Sequence, residues 1–356
     1  MKIIRLSTFL DYGGIESKMA NLSSFQDGNE WVFVAIGKGG IAESRIRGNK
    51  KTVFCFNLPH RIPSPITIFK LYRFFKEAKP QVVHSSGAEA NFHGVIAAKM
   101  AKIPVVIAEE IGIAKQSKVA KLIFRLIYRL ADFVLGESKA VTDNLRSNYA
   151  INTSKLKVVD NFTLFPKIEL TTKASENSVF QLLTVSRLEP VKNIEGIIRV
   201  MQRLKSENYN IKYTIVGDGS SRYELLHLVK ASALEKEIDW VGFQQKTLPF
   251  YLQSDLFILN SFSEGFSNAL LEAMYCKKIV ITTKVGAADE IIMNDKNGFT
   301  IDCNDDNQLY EMIKLVLHLS LEKQQQIQNA AHQSVVANYA IESHVAKLMS
   351  VYNLKS

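Results

Sequence analysis

The chain is poor in cysteine and has no run of about 20 apolar residues, the length needed to span a bilayer. Its 356 residues include three cysteines, Cys55, Cys276 and Cys303, which are far apart and form no C-x-x-C pair. This odd set excludes a disulfide framework or a cysteine zinc site and predicts reduced thiols. The N-terminal sequence MKIIRLSTFLDYGG is interrupted by charged residues, which predicts a strand rather than a signal peptide. We therefore expect a cytoplasmic protein.

Acidic residues are scarce in the first half. Residues 1–165 contain 24 Lys and Arg against 13 Asp and Glu, whereas the remainder contains 20 against 22. The net charge of +9 is therefore +11 in the first half and −2 in the second. Such asymmetry predicts an anionic partner for the first half. No helix-turn-helix, zinc-finger or aromatic RNA-binding motif is present, so the inner face of a membrane is favoured over nucleic acid.

One stretch of the basic half, KVAKLIFRLIYRLADF, combines apolar residues with basic residues at helical spacing. Two interpretations remain open: a packed helix with a solvated basic face, and an amphipathic helix that lies on a membrane surface. The basic residues are Lys118, Lys121, Arg125 and Arg129.

Short apolar strands alternate with amphipathic helices along the whole chain, the pattern of parallel sheets covered on both faces. The alternation stops in TLFPKIELTTKASENS, a polar, aperiodic stretch, and then restarts. We predict an α/β protein with two doubly wound, Rossmann-like domains facing a central cleft. The expected divisions are an acceptor-side domain at 1–165, a linker at 166–178, a donor-binding domain at 179–340 and a C-terminal helix at 341–356 that packs back on the first domain.

Ligands of such sheets bind outside the carboxyl ends of the strands, so the loops after strands carry the function. Two of these loops, LDYGGIE and IVGDGSSR, contain pairs of glycines: Gly13 with Gly14, and Gly217 with Gly219. Absent side chains let backbone approach a ligand at a helix start. The loop IVGDGSSR does not match the G-x-G-x-x-G or P-loop fingerprint, and for each loop taken alone a simple turn is the favoured interpretation.

The loop TVSRLEPVKN places two cations, Arg187 and Lys192, between a strand and a helix. Two such cations can hold a diphosphate and stabilise it as a leaving group. Exposed salt bridges are the alternative.

The stretch NSFSEGFSNALLEAM sets two carboxylates, Glu264 and Glu272, eight positions apart. A helix that begins near Ser267 or Asn268 would leave the first acid in a loop and the second inside the helix. The unpaired amides between them suit a phosphate. A pair of glycosidase carboxylates is the less suitable interpretation of this spacing.

Together these loops resemble the retaining glycosyltransferases of family four, which have the GT-B fold. The matching segments are GGIE, SRLEPVKN, VGDG, VGF and SEGFSNALLEAM, and the last is the family's E-x(7)-E motif. They extend from residue 13 to residue 274. The resemblance implies transfer of a sugar from a nucleoside diphosphate to an acceptor hydroxyl, with the anomeric configuration retained. No residue distinguishes UDP from GDP, and UDP is slightly favoured. The basic first half favours a glycan or lipid-linked acceptor, as in the assembly of surface polysaccharide, capsule or lipopolysaccharide.

The resemblance also implies roles for individual residues. Glu264 and His84 would be catalytic, with Glu264 near the transferred sugar and His84 matching an active-site histidine. The acceptor would meet Glu16, Glu109 and Glu110, although the family often has a histidine where Glu109 and Glu110 stand. The residues implied in donor binding are Gly13, Gly14, Arg187, Lys192, Gly217, Gly219, Phe243, Phe266, Ser267, Asn268, Ala269 and Glu272.

The chain has no D-x-D sequence, so we expect no carboxylate-held Mg²⁺ and no cofactor beyond the donor. The family's PNG before the linker is DNF here, at residues 160–162. Three rival functions stay open: a sugar-nucleotide epimerase of similar fold, a glycosidase, and a two-lobed protein that binds a ligand without turning it over.

Overall fold

The chain folds into two compact units, which are described separately. The first unit comprises Met1–Leu164 and Ile341–Ser356, and the second comprises Phe165–Ala340. The end of the chain therefore belongs to the same unit as its beginning.

The computed structural model describes residues 1–112, 117–165 and 179–355. The linker predicted at 166–178 lies outside the described residues. None of the described helices is long and apolar enough to span a membrane.

Each unit is built on a parallel sheet. Within the described ranges, seven strands form the first sheet, in the order β3-β2-β1-β4-β5-β6-β7, and six form the second, in the order β10-β9-β8-β11-β12-β13. The strands of the first sheet are β1 (Lys2–Ser7), β2 (Glu30–Ala35), β3 (Thr52–Cys55), β4 (Val82–Ser86), β5 (Val105–Glu110), β6 (Phe133–Gly136) and β7 (Leu156–Val158). Those of the second are β8 (Phe180–Val185), β9 (Ile211–Val216), β10 (Ile238–Gly242), β11 (Leu256–Leu259), β12 (Ile279–Thr283) and β13 (Phe299–Ile301).

Helices cover both faces of the sheets. They are α1 (Gly14–Leu22), α2 (Ile41–Gly48), α3 (Pro65–Ala78), α4 (Ala88–Met100), α5 (Lys118–Leu130), α6 (Lys139–Tyr149), α7 (Ile194–Ser206), α8 (Arg222–Ala231), α9 (Leu248–Gln253), α10 (Asn268–Tyr275), α11 (Ala288–Ile291), α12 (Asp306–Leu317), α13 (Leu321–Asn338) and α14 (Ile341–Tyr352). The predicted alternation of short apolar strands with helices is confirmed. Strands β7 and β13 were not predicted, because they are three residues long and too short for a periodic signal.

The alternation of side chains in β1 explains how the first unit is layered. Ile4 and Leu6 enter the core beneath α3, α4, α5 and α6, whereas Ile3 enters the core beneath α1, α2 and α14. Arg5 lies on the same side of the strand as Ile3 and is buried there. A cation therefore lies inside the layer that α1 and α14 cover.

Both sheets reverse their strand order at one point, between β1 and β4 in the first unit and between β8 and β11 in the second. In open α/β sheets, ligands bind at the carboxyl ends of the strands beside such a reversal. The loops after β8 and β11 contain the cations and the E-x(7)-E motif.

Candidate active site

The loop after β8 is held against the loop after β9 by backbone hydrogen bonds. The N–H of Ser186 donates to the carbonyl of Val216, and the N–H of Leu188 donates to that of Asp218, each at 3.0 Å. Arg187 lies between these two anchored residues, and its side chain is exposed. It makes no side-chain hydrogen bond or ion pair with the described part of the chain, so its charge is available to a ligand.

The glycines of VGDG make this approach of two loops possible. A Cβ on Gly217 would lie 1.8 Å from the carbonyl oxygen of Ser186, and one on Gly219 would lie 2.4 Å from that of Leu188. Both distances are far below van der Waals contact, so only glycine fits. The two glycines therefore position the backbone that carries Arg187.

Lys192 and Glu264 are brought together from different loops. Lys192 ends the 3₁₀ turn Pro190–Lys192 and forms an ion pair with the carboxylate of Glu264. Both side chains are 13% exposed. Ser261 Oγ also donates to Glu264 Oε1, at 2.8 Å. The pair is largely buried, which strengthens its electrostatic interaction relative to an exposed pair.

The helix start predicted between the two glutamates is confirmed. Helix α10 begins at Asn268, and Ser267 caps it by accepting the N–H of Leu270 at 3.3 Å. The first amides of a helix have no acceptor within the helix and carry partial positive charge. Phe266, just before the cap, packs against Tyr339 with ring centroids 5.7 Å apart. The first turn, with Asn268 and Ala269, is thus fixed beside the loop of Glu264.

Glu272 lies one turn inside α10. Thr247 Oγ1 donates to its Oε2 at 3.2 Å. Burial raises the pKa of this carboxyl, and its hydrogen bonds oppose that rise. A carboxylate in this environment gains from further hydrogen-bond donors, such as sugar hydroxyls.

Phe243 follows β10 and is 55% exposed. The preceding residue, Gly242, accepts the N–H of Gly217 at 2.9 Å. The segment VGF is therefore tied to the same turn that supports Arg187. Exposed aromatic faces of this kind can stack on a planar ring.

One supporting residue, Gly286 in the loop after β12, was not predicted from the sequence. Its φ of +57° lies in the left-handed region, and a Cβ there would lie 2.2 Å from the carbonyl oxygen of Glu264. The N–H of Ala287 donates to the carbonyl of Gly265 at 3.1 Å. This loop therefore fixes the backbone of Glu264. The available signal was a glycine three positions after the end of an apolar strand.

The histidine predicted to be catalytic, His84, is buried in the first unit. His84 lies within β4 and has no exposed surface. Its Nδ1 is 2.7 Å from the hydroxyl of Tyr352, and its Nε2 is 3.3 Å from Glu109 Oε2. Burial and the charge of Arg5 together lower the pKa of His84 to about 3, against the opposing effect of Glu109, so the ring is neutral. This position does not support the catalytic role predicted for His84, because the ring offers a substrate no surface.

Glu109 belongs to the same buried network. Arg5 Nη2 donates to Glu109 Oε2 at 2.9 Å, and Lys18 Nζ lies 2.7 Å from both Glu109 Oε1 and Glu137 Oε1. The two cations hold the pKa of Glu109 well below its ordinary value despite burial. Burial raises the pKa of Glu137 to about 7. Glu109 is thus fully paired and buried, and this position does not support its predicted contact with the acceptor.

Glu110 and Glu16 lie closer to solvent. Glu110 Oε1 accepts the hydroxyl of Tyr128 at 2.5 Å and the amide of Asn91 at 3.0 Å. Burial raises the pKa of Glu110, and burial also raises that of Glu16. Both side chains are half-buried at the carboxyl edge of the first sheet. They remain candidates for an acceptor contact.

Glu16 lies in the first turn of α1, behind the glycine pair. A Cβ on Gly13 would lie 2.2 Å from Glu16 Oε2, so this glycine leaves space for the carboxylate. A Cβ on Gly14 would meet no atom within 4 Å and would face open space. The described residues contain no group of three or more His, Cys, Asp or Glu side chains arranged to hold a metal ion.

Two family models match the chain in adjoining regions. Residues 12–163 match the model described as Glycosyltransferase Family 4, and residues 170–334 match the model described as Glycosyl transferases group 1. The chain belongs to glycosyltransferase family four. The family resemblance drawn from the E-x(7)-E motif and the strand-end loops is thereby confirmed.

Curated relatives of this family-four chain include two enzymes of Campylobacter jejuni. One is the N-acetylgalactosamine-N,N'-diacetylbacillosaminyl-diphospho-undecaprenol 4-alpha-N-acetylgalactosaminyltransferase, 30% identical over 205 residues, 56% of this chain and 55% of that protein. The match thus spans about half of that relative. The other is the GalNAc-alpha-(1->4)-GalNAc-alpha-(1->3)-diNAcBac-PP-undecaprenol alpha-1,4-N-acetyl-D-galactosaminyltransferase, 26% identical over 342 residues, 93% of this chain and 92% of that protein.

Solved structures share the fold of the glycosyltransferase. Anabaena HepE in complex with UDP has a TM-score of 0.86 at 18% identity and covers 99% of this chain and 100% of its own. The lipopolysaccharide outer core galactosyltransferase WaaB has a TM-score of 0.79 at 16% identity, with coverages of 99% and 100%. At these identities the likeness establishes the fold, which is the predicted GT-B fold with two parallel-sheet α/β units.

Proposed function

We propose that this glycosyltransferase moves a sugar from a nucleoside-diphosphate sugar, a UDP-sugar by preference, to a hydroxyl of a glycan or lipid-linked acceptor, with retention of the anomeric configuration. The observation that carries the proposal is the arrangement in the second unit. There Lys192, Glu264 and the start of α10 are held together by hydrogen bonds and by Gly286.

The donor diphosphate would bind Arg187, Lys192 and the first amides of α10. Cations and oriented amides stabilise the negative charge that develops on a leaving diphosphate. Lys192 already faces a carboxylate, Glu264, so it lies in a fixed position before a ligand arrives. A preorganised cation loses little conformational entropy on binding.

The nucleoside would be recognised at two further points of the second unit. Glu272 would accept hydrogen bonds from the ribose hydroxyls, and the exposed ring of Phe243 would lie beside the base. The preference for UDP draws support from the fold neighbour Anabaena HepE, which has been solved with UDP and with UDP-glucose.

In the transfer itself, the bond between the anomeric carbon and the donor phosphate oxygen breaks, and its electron pair leaves with the diphosphate. The acceptor oxygen forms the new bond on the same face of the sugar and gives its proton to a donor phosphate oxygen. Glu264 would hold the transferred sugar and support positive charge at the reacting carbon. No covalent nucleophile is assigned.

Arg187 and Lys192 supply the positive charge that Mg²⁺ provides in metal-dependent transferases. We therefore propose a metal-independent reaction. Activity should persist unchanged in excess EDTA. A complete loss in EDTA that added Mg²⁺ restores would contradict this part of the proposal.

The proposed pathway is assembly of a bacterial surface glycan on a lipid carrier. Two curated relatives carry diphospho-undecaprenol acceptors in their names, and a third, 25% identical over 71% of each chain, is the capsular polysaccharide biosynthesis glycosyltransferase CapM of Staphylococcus aureus. The excess of +11 in residues 1–165 would draw the first unit to the anionic inner face of the membrane. Helix α5 would lie on that surface.

Nucleotide release tests the transferase site. UDP-, GDP- and ADP-sugars are incubated with the wild type, with Lys192→Ala, with Glu264→Gln and with Lys230→Ala. The last removes an exposed lysine of α8 as a matched control. We expect slow, UDP-selective release that Lys192→Ala lowers about 100- to 1,000-fold, as loss of a leaving-group contact does, and that the control leaves intact.

Silence across the panel, together with no nucleotide binding by calorimetry, would overturn the proposal. With an acceptor found, the anomeric coupling constant of the product by NMR decides between retention and inversion.

A further inference from the structure

Two helices of the first unit carry exposed apolar side chains on their outer faces. On α3, Ile66 is 61% exposed and Phe69 is 55% exposed. On α5 the exposed apolar side chains recur every three or four residues and form a stripe along the helix. They are Val119, Leu122, Leu126 and Leu130.

Both sets are flanked by basic side chains, and the one acidic residue of the two helices is Glu77, in the last turn of α3. The sequence contains no Asp or Glu from residue 60 to residue 76 or from residue 117 to residue 131. Lys70 and Arg73 lie exposed beside Phe69 on α3. On α5 the four basic residues at helical spacing alternate with the apolar stripe. We name these surfaces the α3 patch (Ile66, Phe69, Lys70, Arg73) and the α5 stripe (Lys118, Val119, Lys121, Leu122, Arg125, Leu126, Arg129, Leu130).

The topology puts the two surfaces on one side of the sheet. Helices α3 and α5 both pack against α4, in the layer that covers the core containing Ile4 and Leu6. They follow β3 and β5, and all strands described in this sheet run parallel. The first turns of both helices therefore emerge at the carboxyl edge, where the acceptor candidate Glu110 also lies.

Single exposed apolar residues are ordinary on protein surfaces, but a repeated apolar and basic pattern on two helices of one layer is not. An acidic protein surface would pair with the basic residues, but it would need a separate pocket for each exposed apolar side chain of the two helices. An anionic bilayer matches both features, because its headgroups pair with the cations and its interface accepts apolar side chains at any register.

We propose that the α3 patch and the α5 stripe form one footprint for an anionic bilayer, so that two helices rather than α5 alone hold the first unit on the membrane. The inference rests on the proposed function, in which the acceptor is lipid-linked. It adds that the carboxyl edge of the first sheet faces the lipid headgroups. A lipid-borne acceptor would then reach Glu110 without leaving the surface.

Co-sedimentation with vesicles tests the footprint. The full-length protein is mixed at low salt with vesicles of phosphatidylethanolamine and phosphatidylglycerol, and separately with phosphatidylcholine alone. The variants are Ile66→Ser with Phe69→Ser on α3, Leu122→Ser with Leu126→Ser on α5, and Lys70→Glu with Arg73→Glu. The matched control is Leu354→Ser, which alters an apolar residue, 58% exposed, just after α14 of the opposite layer. The next residue, Lys355, pairs with Asp132 just before β6, at the amino edge of the sheet.

Each pair of substitutions should lower the partition coefficient on anionic vesicles about tenfold, and the two apolar pairs together should lower it by about the product. The control should bind as the wild type does. Circular dichroism confirms that each variant is folded. Wild-type binding by both α3 variants would overturn the shared footprint, and equal binding to phosphatidylcholine would overturn the requirement for anionic lipid.

Nucleotide release without acceptor is measured on the same variants. It should stay at the wild-type rate, since the second unit is unaltered. Release with no vesicle binding in any protein would contradict the membrane footprint and leave the transferase proposal intact. Vesicle binding with no release in the wild type would contradict the transferase proposal alone.

Discussion

Charged side chains at strand ends have different environments in the two units. In the second unit, Lys192 and Glu264 keep part of their surface open, and Arg187 is exposed. In the first unit, Glu109 near the end of β5 is buried and pairs with Lys18, which α1 supplies. The same residue types are thus accessible to a ligand in one unit and buried in the fold in the other. Burial separates the two cases, and burial depends on what covers each strand end.

Lys18→Met should have the largest effect on stability, and the effect should come from the first unit. The substitution leaves the buried carboxylates of Glu109 and Glu137 with Arg5 as their remaining cation. Breaking a buried ion pair costs about 3 kcal/mol or more of unfolding free energy. Urea unfolding followed by circular dichroism measures the loss.

The matched control for this prediction is Lys38→Met, because the Lys38 side chain is 70% exposed. It should change the unfolding free energy by less than about 0.5 kcal/mol. Adding Glu137→Gln to Lys18→Met restores the balance of charge and should recover part of the loss. Equal stability of the single and double variants would show that Lys18 and Glu137 are not coupled.

Gly286→Ala should break the second unit's site and leave the first unit intact. The new Cβ would need the position 2.2 Å from the carbonyl oxygen of Glu264, so the loop of Glu264 must shift. We expect a loss of about 2 kcal/mol in stability and at least a tenfold fall in kcat. Thermal unfolding and nucleotide release measure the two effects.

Gly28→Ala is the control for backbone conformation. Gly28 has φ +75°, and a Cβ there meets no atom within 4 Å. It should cost about 1 kcal/mol for the left-handed conformation and should leave nucleotide release unchanged. A similar fall in kcat for both variants would mean that the contact between Gly286 and Glu264 does not matter for the reaction.

The smallest expected effect is that of His84 on the pH dependence of the unfolding free energy. Its pKa is lowered to about 3 in the folded protein, whereas an unfolded histidine titrates near 6.5. The unfolded chain therefore takes up a proton below pH 6.5 that folded His84 does not, so its contribution to stability is complete above 6.5 and falls toward pH 3. Between pH 7 and pH 5 the wild type should lose about 1 to 2 kcal/mol relative to His84→Gln.

Unfolding free energies of both proteins at pH 5, 6 and 7 measure this slope. The pH profile of kcat adds an independent test of the catalytic role, because a buried neutral ring should not contribute an acid limb. If the unfolding free energies of the two proteins depend on pH in the same way, the buried neutral state of His84 is contradicted. An acid limb near pH 6.5 in the kcat profile of the wild type that is absent from His84→Gln would support a catalytic role for His84.

The fold was largely predictable because its signals are local. Buried parallel strands such as β5 and β12 are continuous apolar runs, and helix starts such as that of α10 follow from Ser267 and the residues around it. The edge strands β7 and β13 were not predicted, because three residues are too few to show an alternating pattern. The site was predictable where its residues are contiguous in the sequence, as in SEGFSNALLEAM.

Support from distant loops was not predictable. Nothing in the order of residues indicates that Gly286 touches the backbone of Glu264, or that Tyr352 of α14 reaches the ring of His84. These contacts join residues 22 and 268 positions apart, and they exist because the sheet order brings the loops or the last helix to one place.

The sequence by itself determined the two doubly wound halves, the family-four motifs and the uneven charge, because each depends on residue type and short spacing. The tertiary structure alone decided which charges stay open. It buried His84 and Glu109 under α1 and α14 and left Arg187 exposed. It also placed the α3 patch and the α5 stripe in the same helical layer. Exposure is a property of what packs over a residue, and packing partners come from anywhere along the chain.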